Sequence, residues 1–393
     1  MTAADHDAAR ELCAFIDASP SPFHAVASAA TRLEAAGFTQ QRETEAWDVA
    51  SGSRYLVRDG SLVAWSLPAG TDPAAPWRLI GAHTDSPNLR VKPQPDVGSA
   101  GTRQLAVEVY GGALLNSWLG RDLGLSGRLG LHDGSTVLVR VDEPVLHIPQ
   151  LAIHLDREIT TAGLHLNPQA HLNPLWGIGD VEAGGFRTFV AAAAGVTAQE
   201  VVAWEVMVHD LGPSQLAGRD CELLSAPRLD NLCSCWAAIS ALTASPAPDS
   251  PTLVVLFDHE EVGSTSSRGA DSPLLEATLE RIVTAAGGTR AQMRQALAGS
   301  LCASADMAHA THPNYAERHE PEHWIALGGG PVVKTNVNQR YATDARSAAR
   351  FTTACERAGV PFQWYSHRAD LPCGSTIGPI TAAALGVSVV DVG

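Results

Sequence analysis

Lysine is almost missing from this sequence: Lys92 and Lys334 stand against 25 arginines among 393 residues. So skewed a composition reads as drift, and neither lysine carries weight without its context. The formal net charge of −15 argues against nucleic acid or anionic membrane as the main partner. Long apolar runs are also missing, and no stretch of about 18 apolar residues is available to span a bilayer. The start, MTAADHDAARELCAF, lacks the basic segment and apolar stretch of a signal peptide. Cysteine is present at Cys13, Cys221, Cys233, Cys235, Cys302, Cys355 and Cys373, but the count is odd and no C-x-x-C pair occurs. That excludes a disulfide framework and a zinc ribbon, and buried free thiols in a reducing cytoplasm are expected. What is there, 45% hydrophobic and 18% charged residues, is ordinary for a soluble globular protein. The length allows one large core or two domains.

The pattern along the chain changes twice. Ala8 to Ile16 is predicted as a short amphipathic helix stopped by SPSPF, and His24 to Gly37 as an Ala-rich helix closed by Gly37. Paired strands are expected at Tyr55–Arg58 and Leu62–Ser66 around the Asp59-Gly60 turn, then a strand at Arg78–Ala82 that delivers HTDSP. From about Pro93 to Asp220 short alternating segments such as Leu105–Tyr110 and Thr136–Val141 are punctuated by Gly and Pro. Afterwards helices are predicted at Leu232–Thr243 and Leu274–Ala286, with strands at Thr252–Phe257, Ser300–Ser304 and Val387–Val392. Continuous apolar strands between helices imply a sheet buried on both faces. The expected fold is α/β: a central, mostly parallel sheet with helices on both faces, in two pieces (1–93 and 221–393). A β-rich domain (94–220) is inserted between them.

One stretch carries the chemistry. LVVLFDHEEVGS (Leu253–Ser264) runs five apolar residues into Asp258, His259, Glu260 and Glu261. Adjacent carboxylates at a buried strand end repel one another unless a cation compensates them. In open α/β sheets, ligand sites gather at the carboxyl ends of strands. His83, Asp230 in RLDNL and Asp306 in LCASADMAHA fall at comparable places. Imidazole mixed with carboxylates suits Zn2+, with Mn2+ or Co2+ as substitutes. One His with three carboxylates suits two metals sharing a bridge better than one tetrahedral zinc. Asp85, two residues after His83, is placed to fix the imidazole ring. In the Glu260–Glu261 pair, one residue can ligate while the other serves as general base.

Motifs across nearly the whole chain resemble the aspartyl aminopeptidase family of co-catalytic zinc metallopeptidases. They are SPSPFHAV (Ser19–Val26), GAHTDSP (Gly81–Pro87), LAIHLDR (Leu151–Arg157), RLDNL (Arg228–Leu232), DHEEVGS (Asp258–Ser264), SADMAHA (Ser304–Ala310), GPVVKTNVNQRYAT (Gly330–Thr343) and PCGSTIGPI (Pro372–Ile380). The resemblance implies a zinc-peptidase catalytic domain with an inserted dimerisation domain, and two zinc ions per subunit. It implies that His83 and Asp306 hold one metal, Asp230 bridges both, Glu261 ligates the second and Glu260 is the base. His309, Lys334 and Tyr341 match substrate-contacting positions, Lys334 being the candidate partner of an acidic side chain. His154 matches a His that reaches a neighbouring subunit's active site, and the family forms tetrahedral dodecamers built from dimers. The implied activity is removal of N-terminal Asp or Glu from peptides. Partners are then peptides and further copies of the chain, with neither nucleic acid nor membrane.

Two rival functions are set beside this one: a broader aminopeptidase for neutral residues, and a noncatalytic assembly protein of the same fold. A serine hydrolase is disfavoured, because GSTIG has Thr376 where a nucleophile elbow needs Ser. In the family, the strand matching VSVVDVG leads to a Met-His-Ser loop, whose His completes the second metal site, and to a final helix. The sequence holds no such His beyond His367. The expectation is therefore one metal bound well, the other weakly, and little or no peptidase activity.

Overall fold

The computed structural model describes residues 3–47, 51–244 and 249–393. The chain divides into two compact units, Met1–His24 with Ser86–Pro227, and Ala25–Asp85 with Arg228–Gly393. Helix α1 (Ala3–Asp17) buries Leu12, Phe15 and Ile16, and α2 (Pro22–Ala35) buries Val26, Ala29 and Leu33 at helical spacing. α2 ends where Gly37 (φ 85°) donates to the Glu34 carbonyl and Phe38 to that of Leu33, a Schellman closure. Strands β1 (Thr39–Gln40), β2 (Gly52–Arg58), β3 (Ser61–Leu67) and β4 (Arg78–His83) follow. The hairpin turn has Asp59 in the left-handed region, at φ 56°.

The barrel unit is built from β5 (Asn88–Ser99), β6 (Thr102–Tyr110), β7 (Asp122–Leu131), β8 (Thr136–His147), α3 (Ile159–Ala162), β9 (Leu175–Ile178), α4 (Gly185–Ala193) and β10 (Val201–Asp210). The six strands close in the order β10-β5-β6-β9-β8-β7, which leaves no open sheet edge. Alternate residues such as Leu105 and Val107, Leu123 and Leu125, Val139 and Val141 fill one core, into which α4 sends Phe186 and Val190. A ribbon of β11 (Gln215–Ala217) and β12 (Leu223–Ser225) follows. The unit starts at Ser86 rather than 94, because β5, which begins at Asn88, is a barrel strand; it also runs on to Pro227. It also includes the amino-terminal segment. Ser126 Oγ donates to the Pro20 carbonyl at 3.1 Å, and the Arg128 guanidinium lies 4.4 Å from the Phe23 ring centroid.

The other unit resumes with α5 (Leu229–Ala244), β13 (Thr252–Phe257), α6 (Leu274–Ala285), α7 (Arg290–Gly299), β14 (Leu301–Ala305), β15 (Val332–Thr335), α8 (Ala345–Ala358), β16 (Gln363–Ser366), α9 (Ile377–Leu385) and β17 (Ser388–Val392). Its nine-stranded sheet has the order β1-β2-β3-β13-β4-β14-β17-β15-β16. β13, β4, β14 and β17 are parallel neighbours; β2–β3, β3–β13 and β15–β17 are antiparallel. Helices cover both faces. Val255, Phe257, Cys302 and Val389 pack with Leu279, Met293 and Leu297 of α6 and α7, whereas Val390 and Val392 pack with Ala348 of α8. Register pairs Phe257 with His83 and Ala305 with Val392, so the central strands end along one edge.

Cysteine departs from expectation at one position. Cys13, Cys235, Cys302 and Cys355 are buried free thiols and Cys233 and Cys373 half-buried, but Cys221 is exposed. Among the described residues no helix is long and apolar enough to cross a membrane.

Candidate metal centre

At the carboxyl edge of the parallel strands, β4 ends on His83, whose side chain is 1% exposed. Its Nδ1 lies 3.0 Å from the backbone carbonyl of Asp85 and 3.4 Å from that residue's Oδ1. A carbonyl only accepts, so Nδ1 carries the proton and Nε2 is left facing the carboxylates. Nε2 is 3.3 Å from Asp230 Oδ1, 3.9 Å from Asp306 Oδ1 and 4.0 Å from Glu260 Oε2. His83, Asp230 and Asp306 offer ligand atoms all within 4.8 Å of one another. Glu261, expected as a ligand, is outside that group, although its backbone N–H and that of Glu260 both donate to the Asp85 carboxylate.

Local structure explains these placements. Asp230 and Asn231 leave the helical path at the start of α5 (ψ 105° and φ −127°), and the buried Asn231 amide donates to the Ala305 carbonyl at 2.8 Å. This ties the Asp230 turn to the strand that delivers Asp306. Beyond β13, His259 adopts φ 66° and Gly263 φ 95°, bracketing a single 3-10 turn, Glu260–Val262. Asp85 was expected to fix the His83 ring through its carboxylate. Its carbonyl holds the ring at the shorter distance, while the carboxylate holds the Glu260–Glu261 turn.

The electrostatics are out of balance. Burial pushes the Glu260 carboxyl up to about 7, Asp306, Asp85 and Asp230 adding to the rise and His83 opposing it. Burial likewise takes Glu261 up to about 8, with His83 opposing and Asp230 and Glu260 adding. For His83, burial favours the neutral ring, but hydrogen bonds with Asp230, Asp306 and Asp85 hold it well above its usual value. Asp306 is lowered: burial raises it, and His83 and Lys334 outweigh that. More carboxylates converge here than one imidazole can neutralise. A divalent cation suits that charge excess and the mixed nitrogen and oxygen donor set.

The expected substrate residues divide. Lys334 is buried, and its ammonium donates to the carbonyls of Asp306 and, at 3.3 Å, Met307, with Asp306 Oδ2 at 4.0 Å. There it braces the backbone at Asp306 and Met307. Tyr341 is buried under that ammonium, 5.6 Å from ring centroid to Nζ, and burial raises its phenol pKa. The ring of His309 lies 5.5 Å from that of His319, tilted, and 5.5 Å from that of Tyr365, edge-on; partial desolvation among these neighbours and the nearby His319 lower its pKa. His154 is exposed on the turn Ile153–Leu155 of the barrel unit. Sequence reading missed Asn231, Ser61, Arg268, Tyr365 and His367. The hydroxyl of Tyr365 is 2.6 Å from His367 Nδ1.

The family described as Aminopeptidase I zinc metalloprotease (M18) matches residues 15–393. A Streptomyces avermitilis protein named Probable M18 family aminopeptidase 2 is 56% identical over 388 residues, 98% of this chain and 90% of its own length. The cryo-EM structure of the Ape4 and Nbr1 complex aligns with a TM-score of 0.95 at 34% identity, covering 100% of this chain and 81% of that one. The S. cerevisiae mApe1 dodecamer aligns at 0.85 and 27% identity, covering 99% and 90%.

Proposed function

The chain belongs to the M18 family of zinc aminopeptidases, and on that premise we propose that it removes N-terminal Asp or Glu from peptides by a two-zinc hydrolysis with Glu260 as base. The observation that carries this reading is the convergence of Asp230, Asp306 and Glu260 on the buried His83 Nε2. His83, Asp230 and Asp306 would hold one zinc, with Asp230 shared and Glu261 serving the second. When bound, zinc supplies Lewis acidity, which polarises a carbonyl and lowers the pKa of water. With cations held there, the Glu260 carboxyl would be kept as a carboxylate able to accept a proton. Glu260 takes the proton of the attacking water and returns it to the leaving amine. Asp85 keeps that carboxylate in place through the backbone N–H it accepts from Glu260.

His309 and Tyr341 are assigned to substrate contact; both rings lie against that of Tyr365, and Tyr341 is beside the Lys334 ammonium. His154 is assigned to a neighbouring copy's site. Leu151, Ile153 and Leu155 around it are exposed, an apolar turn suited to burial between subunits. A dodecamer like that of S. cerevisiae mApe1 is the proposed assembly. Seven free cysteines support a cytoplasmic setting.

One observation favours a second reading, a preference for neutral residues: the Lys334 ammonium is already engaged by two carbonyls. Rates of the zinc-loaded protein on Asp- and Leu-anilides separate the two. Faster Asp turnover supports the acidic preference, and faster Leu turnover the broader enzyme. Failure on every aminoacyl substrate, with zinc bound, rejects both.

A further inference from the structure

The turn that presents Glu260 and Glu261 is fastened from behind by side chains outside the set above. Ser61, fully buried on β3, accepts the Asp258 N–H at 2.9 Å and donates to the Arg268 carbonyl at 2.8 Å, so one hydroxyl joins both arms of the loop. Asp258 is 1% exposed and accepts the His259 N–H on Oδ1 at 2.9 Å. The Arg268 guanidinium reaches His259 Nε2 at 3.1 Å and lies 3.6 Å from Asp258 Oδ2. Since Arg only donates, Nε2 is the acceptor, and Nδ1–H points to Ser266 Oγ at 2.8 Å. Ser266 Oγ in turn accepts the N–H groups of Arg268 and Gly269.

This grip falls on the residue whose backbone needs it. His259 sits at φ 66°, a left-handed conformation that a bulky side chain adopts only where its surroundings enforce it. The next two residues are the carboxylates. Rotation of His259 toward ordinary dihedrals would swing Glu260 and Glu261 away from Asp85 and His83. We propose that Arg268 and His259 are positioning residues for the reaction: the guanidinium locks the imidazole, and the locked imidazole fixes the turn that aims Glu260 and Glu261. The proposal rests on the assignment of those two carboxylates made above.

The test is a double-mutant cycle on the zinc-loaded full chain with Arg268→Ala and His259→Asn. Asn accepts left-handed dihedrals but lacks the ring that Arg268 grips. Each single change should lower kcat about 10- to 100-fold with KM nearly constant, and should weaken zinc in competition with a chromophoric chelator. Combined, they should cost little more than either alone, and guanidinium added to Arg268→Ala should restore part of kcat. Losses that multiply, or an Arg268→Ala protein with unchanged kcat and zinc affinity, would overturn the proposal. If Arg268→Ala does not fold, Arg268→Lys takes its place in the cycle, since it keeps the charge without the planar fork. Glu260→Gln separates the levels: retained turnover there removes the underlying assignment, whereas independent losses at Arg268 and His259 remove this proposal alone.

Discussion

Asp85 accepts the backbone N–H of Glu260 on its Oδ1 at 3.1 Å. Its Oδ2 accepts that of Glu261 at the same distance, and its carbonyl holds His83 Nδ1 at 3.0 Å. One fully buried residue thus fixes the imidazole from below and the carboxylate turn from the side. Asp85→Asn keeps the size but offers one accepting oxygen for two N–H groups, and turns its NH2 against the other. We predict a loss of about 10- to 100-fold in zinc affinity and in kcat, read by chelator competition and steady-state kinetics. Wild-type zinc affinity in Asp85→Asn would show that the turn holds without it.

Lys334 separates bracing from recognition. Lys334→Met strips the donor from the half-buried carbonyls of Asp306 and Met307. We expect turnover of Asp- and Leu-anilides to fall together, about tenfold or more, with zinc bound less tightly. A loss confined to the Asp substrate would instead make the ammonium the reader of the side chain.

A pH dependence belongs to the barrel unit. His24 is buried with Nδ1 2.7 Å from Ser21 Oγ. Burial, helped by Arg140 and opposed by Asp142, lowers its imidazole from 6.5 to about 4. The folded value lies below the unfolded one, so the contribution is complete above pH 6.5 and is lost as pH falls toward 4. Its size is on the order of 3 kcal/mol. Denaturant unfolding at pH 7 and pH 4 should show a smaller drop in stability for His24→Gln than for the unmodified chain. Equal drops would contradict this.

Gly378, in the first turn of α9, is required by packing. A Cβ there would meet Asp391 Oδ1 at 2.1 Å. Asp391 is fully buried and accepts from Thr376 Oγ1 at 2.5 Å and the Ala342 N–H at 2.6 Å, so it has no room to retreat. Replacing a helical Gly by Ala ordinarily stabilises by up to about 1 kcal/mol. Here we predict the opposite sign, about 1–3 kcal/mol of destabilisation on denaturant melting. A raised midpoint would refute the packing argument.

The residues that sequence reading located best are those whose signal is local. Thr252–Phe257 was legible to the residue because an apolar run is bounded by Pro251 and a charged cluster. His83, Asp230, Glu260 and Asp306 were legible because each closes a strand or opens a helix. Helix α8 was not assigned, although Asp344 and Ser347 form a capping box and Gly359 (φ 66°) a left-handed stop; its signals were present and unused. The hold of Ser61 on Arg268 was not legible at all. Those residues are 207 positions apart, and the β3–β13 pairing helps bring them together. Composition makes Lys334 rare, but the bonds of its ammonium to the Asp306 and Met307 carbonyls have no signal in the sequence. The barrel start was placed late because the Pro and Gln residues of β5 hide its alternation across a register shift between Val91 and Asp96.

We propose a division of labour between adjacent carboxylates, in which Glu260 moves the proton and Glu261 holds metal. The most direct measurement pairs zinc content with turnover in Glu260→Gln and Glu261→Gln. We predict that Glu260→Gln keeps nearly all its zinc and loses turnover by about 100-fold or more, while Glu261→Gln loses zinc. A Glu260→Gln protein that retains most of its activity, or one that loses its zinc as Glu261→Gln does, would contradict it.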